Sequence, residues 1–175
     1  MWKRSSRPDG EDVADGEDVA DGEVVSIVPV TFDLARSEDV EAIVALLTDD
    51  VLGSTREHPD LGPYLEAFAQ IDADPNQFVI VGRDGDAVVA TLQLSILATM
   101  THGGATRAQI ESVRVDSAQR GAGVGEAMCR WAIAMAAQRG CTMMQLTTDH
   151  RRPEAKRFYE RLGFIASHHG MKLWL

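Results

Sequence analysis

The stretch Val113–Met135, VRVDSAQRGAGVGEAMCRWAIAM, passes from β-branched residues through three closely spaced glycines into an apolar run of helix formers. Valines at alternate positions favour an extended strand. Gly121, Gly123 and Gly125 then let the backbone come close to a neighbour or a ligand. Three nucleotide-type readings compete for such a junction. A phosphate P-loop needs GxxxxGK[ST], and no Lys-Ser or Lys-Thr follows these glycines. A dinucleotide fingerprint needs GxGxxG tight against the strand end and an acid about 20 residues further on. Here the spacing is GxGxG, and DSAQR separates Val115 from Gly121. The third reading is a loop whose successive backbone N–H groups, backed by a helix N-terminus, chelate a pyrophosphate, with Arg120 as a cation beside it. Against all three stands a glycine turn that only packs a helix tightly on a sheet.

Outward from this junction, strand and helix patterns alternate. ATRAQIESVRV reads as the strand that feeds the loop, and FVIVGRDGDAVVATLQLSIL as a hairpin turning at RDGD. SIVPVTFDLA carries strand-like Ile27, Val28, Val30 and Phe32. Ser37 is placed to cap a helix with Glu38, Asp39 and Glu41 in its first turn and Val40, Ile43, Val44 and Leu47 at helical spacing. GPYLEAFAQIDAD predicts a second helix with Pro63 at its start. Downstream, a long helix runs to about Arg139, where Trp131 and Met135 share a core-facing stripe. TMMQLTT is a strand, PEAKRFYERLG a helix ended by Gly163, and FIASHHGMKLWL a final pair of short strands turning near Gly170. Antiparallel neighbours come first and a βαβ unit follows. The order predicts a mixed α/β fold with a mostly antiparallel central sheet and flanking helices.

The 175 residues suffice for one domain with a real core. Asp9–Val25, DGEDVADGEDVADGEVV, repeats a six-residue period that offers little to bury and much self-repulsion. Residues 1–24 are expected as a disordered acidic tail and residues 25–175 as the folded domain. The repeat lacks the spacing of an EF-hand loop. The net charge of −10 divides evenly, because residues 1–25 set Lys3, Arg4 and Arg7 against eight acids. Neither part has the basic excess of a nucleic-acid binder. No apolar run approaches the roughly 20 residues that span a bilayer. MWKRSSRPDG leads into charged repeats, not an apolar leader. Cys129 and Cys141 make neither a disulfide framework nor a CxxC knuckle, and both read as small buried hydrophobes. These features predict a cytoplasmic protein without metal, nucleic-acid or membrane partners.

The junction also resembles a known family. VRVDSAQRGAGVGEAM is similar to the central motif of GNAT-type N-acetyltransferases, [QR]xxGx[GA] after a strand, satisfied by Arg120, Gly123 and Gly125. AKRFYERLGF is similar to that family's AxxxYxxxGF segment, with Ala155, Tyr159, Gly163 and Phe164 in place. The two blocks stand in the right order and at a typical separation. The resemblance implies the GNAT-like acyl-CoA N-acyltransferase fold, in which the central βαβ core splays. It implies acetyl-CoA as co-substrate, direct transfer to an amine of a small molecule or peptide, and no metal; it also allows a homodimer. A non-catalytic acyl-CoA-binding regulatory module of the same fold is the alternative.

By that resemblance the pyrophosphate sits on the amides of Arg120, Gly121, Ala122, Gly123, Val124, Gly125 and Glu126, and the pantetheine arm pairs like an added strand with Val113, Arg114 and Val115. Tyr159 matches the family tyrosine that protonates the departing thiolate. Amide formation also needs a base for the amine and a donor for the oxyanion, the latter a backbone N–H of Val113–Val115. Glu111 is the candidate base, because alternation along the strand puts it on the face of Val113. A side chain that merely pairs with Arg107 or Arg114 is the plainer reading of Glu111. His150 is the rival base, while His102, His168 and His169 fall in loops. Arg152 stands where the family often has Asn, so that contact does not carry over.

Overall fold

A computed structural model describes residues 30–49 and 56–175. The acidic repeat, the start of the first predicted strand, and residues 50–55 of the connector between the first two helices lie outside the described residues.

Among the described residues, five strands form one sheet in chain order: β1 (Val30–Leu34), β2 (Gln77–Asp84), β3 (Ala87–Ala98), β4 (Thr106–Val115) and β5 (Cys141–Gln145). The first four are antiparallel neighbours, and β5 joins β4 in parallel. The predicted hairpin turns as expected: Asp84 pairs with Ala87 and Gly85 takes φ +56°, which glycine enters without a Cβ penalty. Between β1 and β2 lie α1 (Val40–Thr48) and α2 (Gly62–Ala73); α3 (Val124–Gln138) crosses from β4 to β5, and α4 (Pro153–Arg161) follows. Pro63 opens α2, and Gly163 at φ +94° ends α4. This is the mixed, mostly antiparallel α/β architecture expected from the pattern.

Period-two burial assigns the faces. Ile80, Ala90, Leu92, Leu94, Ala108 and Ile110 pack on Val124, Met128, Cys129, Ala132 and Ala136 of α3. Full burial of each large side chain in this layer contributes about 1.5–3 kcal/mol. Trp131 and Met135 pack against the same cluster, as their spacing predicts. Cys129 is fully buried, and burial pushes its thiol up to about 11; Cys141, at the start of β5, is half-buried. Val81 and Val89 turn to the opposite face, where α1 packs on β3 and β4 through its buried Val40, Ile43, Val44 and Leu46.

Two details depart from the expected pattern. Ser37 begins a 3-10 turn and makes no side-chain cap; instead Asp39 accepts from the Arg36 backbone N–H at 2.7 Å. Asp39 is 5% exposed and takes a two-pronged ion pair from Arg83, at 2.9 and 2.8 Å. The Arg83 guanidinium holds the Asp39 carboxyl below its ordinary range, and burial opposes it. The expected C-terminal strand pair is absent from the sheet. Residues 165–175 carry no strand, and Ile165, Met171, Leu173, Trp174 and Leu175 are exposed. Strand-forming residues there have no ladder partner, and β propensity without a partner strand does not make a strand.

Candidate functional site

The site grows out of β4. Its ladder to β5 covers only Thr106–Gln109, against Cys141–Gln145, and stops there. Beyond Gln109, β4 runs on to Val115 while β5 has ended, so the two strands part and β4 presents an open edge. Unpaired backbone N–H and C=O groups along such an edge accept an extended, amide-bearing chain as an added strand. Val113, Arg114 and Val115 lie on this stretch, half-buried.

A β-bulge interrupts the same stretch. Gln93 pairs with Glu111 and Thr91 with Arg114, so Ser112 and Val113 together oppose Leu92 alone. Ser112 carries φ +54°, a left-handed conformation uncommon for a residue with a side chain. The bulge resets the alternation. Ala108 and Ile110 face α3 before it, and Val113 and Val115 face the same core after it. Glu111 therefore falls on the opposite face from Val113, with Arg107 and Gln109, and not on the shared face that simple alternation predicts. A serine gives no sequence signal for a left-handed residue, so the bulge was invisible in the sequence.

At the end of β4 the chain makes a 3-10 turn at Ser117–Gln119, capped by Asp116, whose carboxylate accepts from the Ala118 N–H at 2.8 Å. The glycine loop follows. Gly121 and Gly123 take φ +87° and +85°, with nothing within 4 Å of where a Cβ would stand, so the loop is open above them. Gly125 serves a different purpose: a Cβ there would meet Val115 Cγ2 at 3.3 Å and Phe158 at 3.7 Å, so it lets α3 pack closely on β4 and α4. The packing reading thus holds at Gly125, while Gly121 and Gly123 leave the loop open. The helical ladder of α3 begins with Ala127 N–H to Gly123 O, which leaves the N–H groups of Val124, Gly125 and Glu126 without an intrahelical acceptor. A helix start with free amides beside a left-handed glycine pair suits an anion.

Arg120 is committed elsewhere. Its Nε donates to Val115 O at 3.0 Å, and one terminal nitrogen donates to Asp49 O at 2.8 Å and to the Asp49 carboxylate at 3.0 Å. The side chain ties the loop to the end of β4 and to the end of α1. The Glu126 carboxylate pairs with Arg130 one turn along α3.

Tyr159 of α4 packs edge-on between Phe158 and Phe164 and belongs to the half-buried rim of the core. Burial pushes its phenol up to about 12, with a further upward push from Cys129; Arg114 and Arg152 pull it down by less. The hydroxyl is thus protonated at neutral pH, as a proton donor must be. Arg152, at the N-cap of α4, stands close enough to act on this phenol.

Glu111 is exposed, opposite Gln93, whose amide donates to Gln77 at 3.1 Å. Gln145 donates to Gln109 at 2.7 Å on the same face. These residues form a polar floor across β2–β5 that no sequence motif announces. The rival base His150 has a side chain 94% exposed beside Asp149, and His168 and His169 are exposed in the C-terminal segment. Among the described residues no group of histidine, cysteine and acidic side chains is arranged to hold a metal, and no helix is long and apolar enough to cross a membrane.

Comparison with known proteins agrees with this geometry. The chain is 28% identical over 135 residues to the aminoalkylphosphonate N-acetyltransferase of Salmonella typhimurium, covering 77% of this chain and 84% of that one. It is 34% identical over 86 residues to the glucosamine 6-phosphate N-acetyltransferase of Trypanosoma brucei brucei, covering 49% of this chain and 56% of that one. The solved structure of a transcriptional regulator from Bacillus halodurans C-125 superposes with a TM-score of 0.81 at 45% identity, over 83% of this chain and 99% of that chain. Residues 33–164 match the acetyltransferase (GNAT) family model, and the chain belongs to that family.

Proposed function

We propose that this chain transfers the acetyl group of acetyl-CoA directly to an amine acceptor, with Tyr159 as acid and Glu111 as base. The observation that carries this reading is the continuity of the open β4 edge with the free amides at the start of α3. An extended pantetheine arm fits the edge, and its diphosphate fits the amides from Arg120 to Glu126, with the thioester reaching the bulge at Ser112. The irregular, partly unpaired backbone at the bulge offers, on this reading, the donor that a tetrahedral oxyanion needs. Glu111, on the polar floor, takes the proton from the attacking amine directly or through water. The amine attacks the carbonyl carbon, the C–S bond breaks, and the protonated Tyr159 supplies a proton to the thiolate. Two relatives act, by name, on an aminoalkylphosphonate and on glucosamine 6-phosphate, which supports a small-molecule amine as acceptor.

A second reading has one observation behind it: the 45% identical structural neighbour is a transcriptional regulator. In that case the same loop and edge bind an acyl-CoA without turnover. Thermal-shift titration with acetyl-CoA, CoA and NAD tests the shared premise, with stabilisation expected only from the two CoA species. An assay of free CoA release across a panel of amines then separates the readings: amine-dependent release supports transfer, and its absence across the panel supports the regulatory module.

A further inference from the structure

A cleft of about 300 Å³ lies at the far end of β4 from the glycine loop, lined by Thr99, Thr101, His102, Ala105, Arg107, Thr142 and Met143. No acid among the described residues lines it, in a chain of net charge −10. The buried Nε–H of Arg107 has no acceptor, although buried guanidinium donors are ordinarily satisfied. No ion pair joins Arg107 to another described residue. The three threonine hydroxyls spend their protons within the protein: Thr99 on the carbonyls of Thr101 and Ala105, Thr101 on Thr99, and Thr142 on the carbonyl of Thr106. Arg107 and His102 are therefore the groups with donors to offer. His102 itself is held at φ +52° at the head of a two-glycine turn, a strained conformation of the kind found at binding sites.

Arg107 shares a sheet face with Gln109 and Glu111, since all three precede the bulge at Ser112. Four residues of strand separate Arg107 from Glu111, about 13 Å between Cα atoms. The Gln109–Gln145 amide pair lies between them. The floor thus runs from a cation short of an acceptor, across amides that still hold free donors and acceptors, to a carboxylate. We propose that the Arg107 cleft holds the anionic end of the acceptor, a phosphate, phosphonate or carboxylate, while the amine at its other end meets Glu111. Arg107 is then a specificity-determining residue, and the substrate class is small amines that carry an anionic group. The proposal rests on the acetyltransferase reading above.

Two measurements on the full chain test it separately from that reading. The first is binding without turnover: methylphosphonate is titrated in a thermal-shift assay at saturating CoA, so that the glycine loop is already filled. Saturable stabilisation is expected in the wild type, with at least a tenfold weaker midpoint in Arg107→Gln and partial recovery in Arg107→Lys. Absence of stabilisation, or the same midpoint in all three proteins, overturns the proposal. The second compares acetylation of matched amines, ethanolamine against phosphoethanolamine and propylamine against β-alanine. The anionic member of each pair should have at least a tenfold higher kcat/KM, and Arg107→Gln should collapse that ratio through KM. Turnover with no preference for the anionic member overturns the proposal while leaving the acetyltransferase reading intact. Phosphonate binding at Arg107 with no turnover of any amine supports the anion site and removes the transferase reading instead.

Discussion

The two ends of β4 differ in what holds them. From Thr106 to Gln109 the strand is paired on both sides, to β3 and β5. From Ile110 to Val115 it is paired to β3 alone, and a bulge interrupts even that ladder. The backbone of the first half is scaffold. The second half is kept short of partners, and it leads directly into amides at the start of α3 that are also short of partners. Backbone polar groups in a folded chain are ordinarily satisfied, so an edge left without a second ladder, where the Arg114 and Arg120 side chains meet the carbonyls of Val113 and Val115, marks where something else binds. Side chains matter less there than conformation, and this is why the motif consists of glycines.

Substitutions that close the open half should have the largest effects. Gly123→Val puts a β-branched residue at φ +85°, and the left-handed conformation costs about 1–2 kcal/mol. The loop is expected to relax away and weaken acetyl-CoA binding roughly 100-fold, the loss of two charge-assisted hydrogen bonds. Calorimetric titration measures this, and unchanged affinity would detach the loop from the cofactor. Gly125→Val fails for the other reason, collision with Val115 and Phe158, so its melting temperature should fall more than that of Gly123→Val.

The scaffold has its own weak point. Asp39→Asn removes the charge that Arg83 needs, and about 1.5–3 kcal/mol of stability should be lost at neutral pH in denaturant titrations. The sign of the pH dependence follows from the lowered Asp39 value. Its contribution is present above pH about 4, its unfolded range, and is lost as acid titrates the folded carboxylate, so the variant should show a flatter acid limb than the wild type.

Smaller and more specific effects belong to the side chains proposed to move protons. Tyr159→Phe should lower kcat by about 10–100-fold with little change in acetyl-CoA affinity. An unchanged kcat removes the acid role. Its phenol should titrate near 12 by ultraviolet absorbance, against about 10 when unfolded, so the fold favours the neutral form. That contribution is complete below pH 10 and is lost as pH rises from 10 through 12. Glu111→Gln should lower kcat with little change in acetyl-CoA affinity; an unchanged kcat would transfer the base role to water or His150.

Most of the donor half was legible in the sequence, because it is local: β-branched strand, glycines, helix and the tyrosine helix each announce themselves within a dozen residues. What escaped is non-local or silent. Ser112 adopts a glycine-like φ without being glycine, so simple alternation assigns Glu111 to the wrong face. The Arg120 side chain joins Asp49, 71 residues away, and Arg83 joins Asp39, 44 away. Residues 165–175 alternate like strands but find no partner ladder. The polar floor of Gln77, Gln93, Gln109 and Gln145 becomes a surface only once four strands align. Local pattern set the glycine-loop end of the site, and tertiary pairing set the polar floor.

Hydrogen exchange of the full chain with and without acetyl-CoA tests the central claim most directly, because it reports backbone N–H groups one segment at a time. Binding should slow exchange in residues 110–115 and 120–126 and leave β2 and the paired half of β4 unchanged. Protection elsewhere, with those two segments exchanging as before, would contradict the claim that unpaired main chain holds the coenzyme.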